Sequence, residues 1–167
     1  MMQEQYWKEL YQLKVHIHLI ELLLERAERV DRVVKIILAV SSSVSIGAWA
    51  IWNHYSYVWA AIIATSQVLT AVRPFLPYSN RIKAYSPLIR ELEELMIHSE
   101  YKWSAISNGE LTTKQINKAR FDLRCIKHKA IHKHIKTTIP TDLKLQKKAE
   151  EIAVNYLMNF YYQGALT

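Results

Sequence analysis

The chain is poor in the residues that interrupt regular structure. Its 167 residues include three glycines and four prolines, which argues against a loop-rich or β-rich fold, because turns between strands depend on these residues. The single cysteine, Cys125, excludes an internal disulfide and is typical of a reducing compartment. Half of the residues are hydrophobic and 22% are charged, a composition that favours a packed protein over a disordered one.

Charge is missing altogether from two stretches of the chain. Residues 36–52 and 55–72 contain no Asp, Glu, Lys or Arg, and only Asn53 and His54 separate them. Each stretch is close to the roughly 20 apolar residues that a helix needs to cross a bilayer. Tryptophans and tyrosines cluster around the turn, as they do at a lipid–water interface. The pattern predicts a tight transmembrane hairpin, and a pair of buried helices in a soluble bundle is the alternative.

The basic residues predict an orientation for this hairpin. Six precede the first stretch, sixteen follow the second and none lies in the turn. The positive-inside rule therefore places both termini in the cytoplasm and the turn outside. No secretory signal with a small-residue cleavage site is visible, so we expect the hairpin to be retained. The predicted parts are an amphipathic cytoplasmic helix (1–35), the transmembrane hairpin (36–72) and a basic cytoplasmic helical region (73–167).

Apolar periodicity predicts an all-α membrane protein. Neither Gly nor Pro occurs in residues 1–46, so the first helix is expected to continue into the first apolar stretch. Its apolar residues recur at alternating steps of four and three, a heptad pattern: Tyr6, Leu10, Leu13, Ile17, Ile20, Leu24 and Ala27. This pattern indicates either subunit assembly or packing on the chain's own C-terminal helices, and we favour the second.

Three further helices are predicted after the hairpin. Prolines indicate a bend or loop over 73–80, followed by a helix from about Pro87 to Ile106 whose buried side holds Leu88, Leu92, Leu95, Met96 and Trp103. Thr112 and Gln115 fit a capping box that opens a basic helix ending before Pro140. The last helix is expected over 142–162, with Leu145, Ala149, Ile152 and Tyr156 on one face.

Small and polar residues within the apolar stretches are the candidate assembly and conduction sites. Small residues spaced four apart allow close helix packing in lipid, and here they are Ala39, Ser43 and Gly47 in the first stretch and Ala60 and Ala64 in the second. Polar residues at membrane depth usually face a bundle interior or a water-filled cavity, and the predicted pore-lining set is Ser41, Ser42, Ser45 and Gln67. The alternatives are packing within the hairpin and hydroxyls that bond to their own helix.

Residues 112–136 form the strongest basic segment. Its predicted basic surface consists of Lys118, Arg120, Arg124, Lys127, Lys129, Lys133 and Lys136. Such a surface suits anionic lipid, nucleic acid or a nucleotide, although a solvated basic face needs no partner. Cys125, His128 and His132 share a helical face, but a structural zinc site needs four ligands, so we expect no metal. Neither a phosphate-binding loop nor another cofactor motif is present, and we expect no enzyme and no cofactor.

The order of these segments resembles that of the small two-transmembrane effectors of bacterial antiphage defence, and is most similar to the accessory membrane protein of type VI-B CRISPR systems. The resemblance implies a homo-oligomeric pore in the bacterial inner membrane that depolarises the cell when defence is triggered. Its implied partners are the bilayer, further copies of the chain, and RNA or a CRISPR effector complex at the basic region.

Two alternatives remain beside the pore. One is a membrane-anchored RNA-binding or HEPN-like RNA-cleaving protein, for which Arg124 and His128 are the catalytic candidates. Accessory proteins of this kind have been linked to a signature in which His follows Arg at a longer spacing, whereas three residues separate Arg124 from His128. The other alternative is a passive membrane scaffold.

Overall fold

The computed structural model describes residues 2–44, 56–72, 78–136 and 138–161. They form five α-helices: α1 (Met2–Val44), α2 (Ser56–Val72), α3 (Tyr78–Ser107), α4 (Thr113–His134) and α5 (Leu143–Tyr161). These residues contain no strand, which confirms the all-α prediction. Within the same residues, none of the helices combines the length and the apolar character needed to cross a bilayer. The predicted turn at Asn53 and His54 lies outside the described residues.

The chain divides into two compact units. The first joins Met1–Leu24 to Lys83–Thr167, and the second is Glu25–Ile82. Helix α1 contributes to both, since it is one uninterrupted helix of 43 residues. It therefore continues into the first apolar stretch as far as Val44, as the absence of Gly and Pro predicts.

The first five heptad residues of α1 form the centre of the first unit, whereas Leu24 is half-buried and Ala27 belongs to the second unit. Leu10, Leu13 and Ile20 have no solvent exposure, and Tyr6 and Ile17 are 1% exposed. They pack in one cluster with Leu88 and Leu92 of α3 and with buried residues of α4 and α5. This confirms the favoured interpretation of the heptad pattern as packing on the chain's own C-terminal helices.

Helix α3 begins earlier than the sequence predicts. It starts at Tyr78 and passes through Pro87, whereas we expected a loop up to residue 80 and a helix from about Pro87. Proline removes the amide that would bond to the Lys83 carbonyl, a cost of about 3 kcal/mol. The buried side chains of Tyr85, Leu88 and Ile89 lie on both sides of Pro87, and their packing offsets that cost.

The turn between α3 and α4 follows its sequence signals. Gly109 has φ +75°, a left-handed conformation that ends helices and favours glycine. Its amide donates to the Ile106 carbonyl at 3.1 Å, and the Glu110 amide donates to the Ala105 carbonyl at 3.1 Å. Thr112 then caps α4, and the predicted capping box with Gln115 is present.

Helix α5 packs through a face that differs in part from the predicted one. Asp142 caps it, since its carboxylate accepts from the Lys144 amide at 3.0 Å. Ala149, Ala153 and Leu157 are buried, whereas the predicted Leu145, Ile152 and Tyr156 are half-buried. Ala149 and Ala153 pack with Val15 of α1, because two small residues let the helices approach closely and move the longer side chains to the edge of the contact.

Candidate functional sites

Helix α2 carries an uncharged surface that the single chain leaves exposed. Its 17 residues contain no charge. Among its described side chains, the large exposed ones are Tyr57, Val58, Ile63, Val68 and Val72, and Tyr57 is 90% exposed. In the α1 part of the same unit, Val33, Ile36, Ile37 and Val40 are exposed as well. A run of exposed aliphatic side chains on this scale is typical of a surface that contacts lipid or protein.

Three hydroxyl groups in the second half of α2 are bonded within the helix itself. Thr65 donates to the Ala61 carbonyl at 2.8 Å and Thr70 donates to the Ser66 carbonyl at 2.8 Å. Ser66 donates to the Ile63 carbonyl at 2.8 Å. Each hydroxyl proton therefore has an acceptor without water. The same type of bond is the alternative to pore lining for the serines of the first apolar stretch, whose side chains lie outside the described part of the structure.

Gln67 shares one face of α2 with the predicted packing residues. Ala60, Ala64, Gln67 and Ala71 follow each other at steps of four, three and four residues, so they lie on one side of the helix. All four are exposed. The amide of Gln67 makes no hydrogen bond to the residues that the structure describes. The face thus combines small side chains with one long polar group.

The remaining candidates of the first apolar stretch are described only in part. Ala39 is an exposed residue of α1. Ser41, Ser42 and Ser43 belong to the last turn of α1, but their side chains lie outside the described part of the structure, as do Ser45 and Gly47 entirely. Their predicted roles in pore lining and packing therefore remain predictions.

The basic helix α4 is anchored by one apolar face. Ile116, Ala119, Leu123 and Ala130 are buried, and the predicted basic residues lie on the rest of the helix. Lys118, Arg124, Lys129 and Lys133 are exposed, Arg120 and Lys127 are half-buried, and the exposed Lys136 follows the helix. The apolar face is thus committed to the core and is unavailable to a membrane.

Two arginines of α4 are held by polar residues of α1. The Arg120 guanidinium donates to the side-chain carbonyl of Gln5, and Arg124 Nε lies 3.7 Å from Glu9 Oε1. Lys127 on the same side is half-buried, and burial lowers its pKa, although the nearby Glu9 partly offsets this. The contact of Arg124 with Glu9 is a surface ion pair, since the Arg124 side chain remains largely exposed.

The C-terminal end of α4 is joined to α3 by an acidic residue. Glu91 Oε2 accepts from Lys133 Nζ at 2.9 Å and from His134 Nε2 at 2.8 Å. Hydrogen bonds from His134 and then Lys133 hold the pKa of the Glu91 carboxyl below its usual value. The positive charge of Lys133 is therefore compensated, and this lysine belongs to the helix contact as much as to the surface.

Four lysines of the basic segment have no acidic partner among the described residues: Lys114, Lys118, Lys129 and Lys136. Arg124 and His128, the alternative catalytic pair, contact other residues. Arg124 pairs with Glu9, and the ring centroids of His128 and His132 lie 4.1 Å apart. Among the described residues, no group of three or more His, Cys, Asp or Glu side chains is arranged so that it could bind a metal ion.

Sequence reasoning missed Phe121 as a surface residue. It is 65% exposed and lies in a shallow depression with Lys114, Asn117, Lys118, Arg120 and Arg124. The signal was available, because at 100° per residue Phe121 falls nearly opposite the face formed by Ile116, Ala119 and Leu123.

Comparison of the whole chain with known protein families, characterised proteins and solved structures gives no match.

Proposed function

We propose that this protein is a homo-oligomeric pore that inserts a hairpin, formed by residues 36–52 and α2, into the bacterial inner membrane and depolarises it, with both termini in the cytoplasm. The resemblance in segment order to two-transmembrane antiphage effectors suggests that the trigger is phage infection. The observation that carries the proposal is the exposed, uncharged surface of α2.

Water is a poor solvent for this helix. Covering a half-exposed Val or Ile side chain with lipid or protein is worth on the order of 1 kcal/mol, and α2 exposes several such side chains on different sides. The hydroxyl groups of Thr65, Ser66 and Thr70 are bonded internally, so lipid can surround these three groups without leaving their donors unpaired. At about 1.5 Å per residue, the 17 residues span roughly 25 Å, which is short of the hydrocarbon core but is accommodated by local thinning of the bilayer.

The face of α2 that carries Ala60, Ala64 and Gln67 supports an oligomer rather than a single hairpin. Two helices per chain cannot enclose water, so conduction requires several copies. Ala60 and Ala64 allow neighbouring helices to approach closely. Gln67 lies on the same face and can bond to a neighbouring copy or face a central conduit. A ring of α2 helices that contact through this face would place the Gln67 amides together at its inner edge.

Membrane insertion is tested by cysteine labelling in intact cells. The native Cys125 is first replaced by Ser, and single cysteines are then placed at Asn53, in the predicted external turn, and at Asn108, an exposed residue of the α3–α4 turn. A membrane-impermeant maleimide should label Asn53→Cys in intact cells. It should label Asn108→Cys only after the cells are permeabilised. Labelling of Asn108→Cys from outside, with Asn53→Cys protected, would overturn the topology.

Assembly is tested by the mass of the purified chain in detergent. Ala64→Leu adds bulk to the proposed contact face and should shift the distribution toward smaller species. Thr65→Leu is the matched control, because Thr65 is also exposed but lies about 100° away from Ala64 around the helix. A monomeric unmodified protein contradicts the pore, and equal effects of the two substitutions contradict the assignment of the contact face.

A further inference from the structure

The outer face of α4 combines cations with flat rings. Lys114, Lys118, Phe121, His128 and His132 recur at three-, four- and seven-residue steps, so they form a stripe opposite the buried face of the helix. Phe121 and both histidines are exposed. From Lys114 to His132 the stripe is about 27 Å long, the length of roughly eight stacked nucleotides at about 3.4 Å each.

Phe121 lies between two cations along the helix. Lys118 lies three residues before it and Arg124 three residues after it, and both line the same depression. Arg124 Nε lies 3.7 Å from Glu9 Oε1, and an exposed ion pair of this kind is weak enough for a phosphate to compete with it. An aromatic side chain that is 65% exposed between such groups presents a flat apolar surface within a positive potential.

We propose that this stripe binds single-stranded nucleic acid, with a base stacked on Phe121 and the flanking phosphates on Lys114, Lys118 and Arg124. Single-strand binding combines these two elements, a basic track for the backbone and an aromatic platform for the bases. Anionic lipid is a poorer match, because an interfacial helix inserts its apolar face, and the apolar face of α4 is buried in the core. This assignment is independent of the proposed pore.

Binding is tested on the full-length chain in a neutral detergent by fluorescence anisotropy. The probes are labelled twelve-nucleotide oligoadenylates, one of RNA and one of DNA. Phe121→Ala should weaken binding about 5- to 100-fold, since a base–aromatic stack contributes that much affinity. The salt dependence should have a slope of about −2 on logarithmic axes, as three basic contacts to a single strand predict, and Lys118→Ala should make it shallower by about 0.7.

Two matched variants separate the proposed contacts from general effects. Ile126→Ala removes an exposed apolar side chain of α4 outside the stripe, and Lys147→Ala removes an exposed cation of α5; both should leave binding within about twofold. Phe121-dependent binding of either oligonucleotide supports the proposal, and the tighter of the two identifies the type of strand.

Three results would overturn the proposal. The first is that Phe121→Ala binds both oligonucleotides as well as the unmodified chain does. The second is that phosphatidylglycerol in mixed micelles displaces the probe from the unmodified chain and from Phe121→Ala alike, which would assign the stripe to lipid headgroups. The third is that Phe121→Ala changes the mass of the assembly instead of the affinity, which would make Phe121 a subunit contact.

Discussion

The Tyr6 hydroxyl donates a hydrogen bond to the carbonyl oxygen of Ser99 at 3.2 Å, across 93 positions of sequence. The bond is buried and joins the start of α1 to the middle of α3. Beside it, the Tyr6 ring stacks on Trp103 at a centroid distance of 6.3 Å and an interplanar angle of 4°. These contacts fix the register of α1 against α3 at one end of the first unit.

Removal of the Tyr6 hydroxyl should lower the stability of this unit. We expect Tyr6→Phe to reduce the free energy of unfolding by about 1 kcal/mol, the usual net value of one internal hydrogen bond. Ser99→Ala is the control. The Ser99 hydroxyl donates to the Leu95 carbonyl at 2.7 Å within its own helix, and its loss leaves the carbonyl that accepts from Tyr6 in place.

Denaturant unfolding followed by circular dichroism measures both variants. Ser99→Ala should stay within about 0.5 kcal/mol of the unmodified chain. If Tyr6→Phe is as stable as the unmodified protein, the bond between α1 and α3 contributes nothing to the fold.

Substitution of Gly109 should lower stability because of the backbone conformation at this position, and the size of the new side chain should matter little. A Cβ added at this position meets nothing within 4 Å, so the cost of Gly109→Ala comes from the left-handed backbone and should be about 1 kcal/mol. Gly109→Asn should cost less, because asparagine tolerates this conformation better than alanine.

Thermal unfolding ranks the two Gly109 variants. The expected order of melting temperature is glycine, then asparagine, then alanine. If Gly109→Ala matches the unmodified chain, the turn between α3 and α4 adopts another conformation in solution.

The contact of Glu91 with Lys133 and His134 should make stability depend on pH. The pKa of the Glu91 carboxyl is lowered from 4.5 by its hydrogen bonds. Its contribution to stability is therefore present above pH 4.5 and is lost as the pH falls through the lowered pKa. Glu91→Gln should destabilise the protein near neutral pH, and the difference from the unmodified chain should vanish in strong acid.

Glu94→Gln is the control for this pH dependence. Glu94 is an exposed residue of the same helix without an ion pair to the described residues. Its replacement should leave the pH profile unchanged. A Glu91→Gln profile parallel to that of the unmodified chain at every pH would show that this carboxylate contributes no proton-linked stability.

Local patterns in the sequence predicted the parts of the fold that local physics determines. The heptad of α1, the capping box at Thr112 and the glycine at the end of α3 all appear where their residues place them. The start of α3 and the contact face of α5 were predicted less well. At Pro87 the packing of distant residues outweighs a local penalty, and at Ala149 and Ala153 the closeness of α1 decides which side chains are buried.

In the candidate sites, too, some features are determined by the local sequence and others by the packing of distant residues. The basic character of α4 was evident from the sequence, but the partners that hold Arg124 and Lys133 come from α1 and α3, so long-range packing decides which cations stay available. Phe121 could have been found by locating the apolar face of α4 first. On α2, the single face that joins Ala60 and Ala64 to Gln67 follows from helical geometry alone.

Ion flux across lipid vesicles that contain the purified protein tests the pore most directly. The measurement is the collapse of an imposed potassium diffusion potential, reported by a potential-sensitive dye, with the inserted fraction and the oligomer size determined on the same sample. We predict rapid collapse with the unmodified chain, and slower collapse with Gln67→Leu, because an apolar constriction tends to dewet. An inserted oligomer that leaves the potential intact would contradict this prediction.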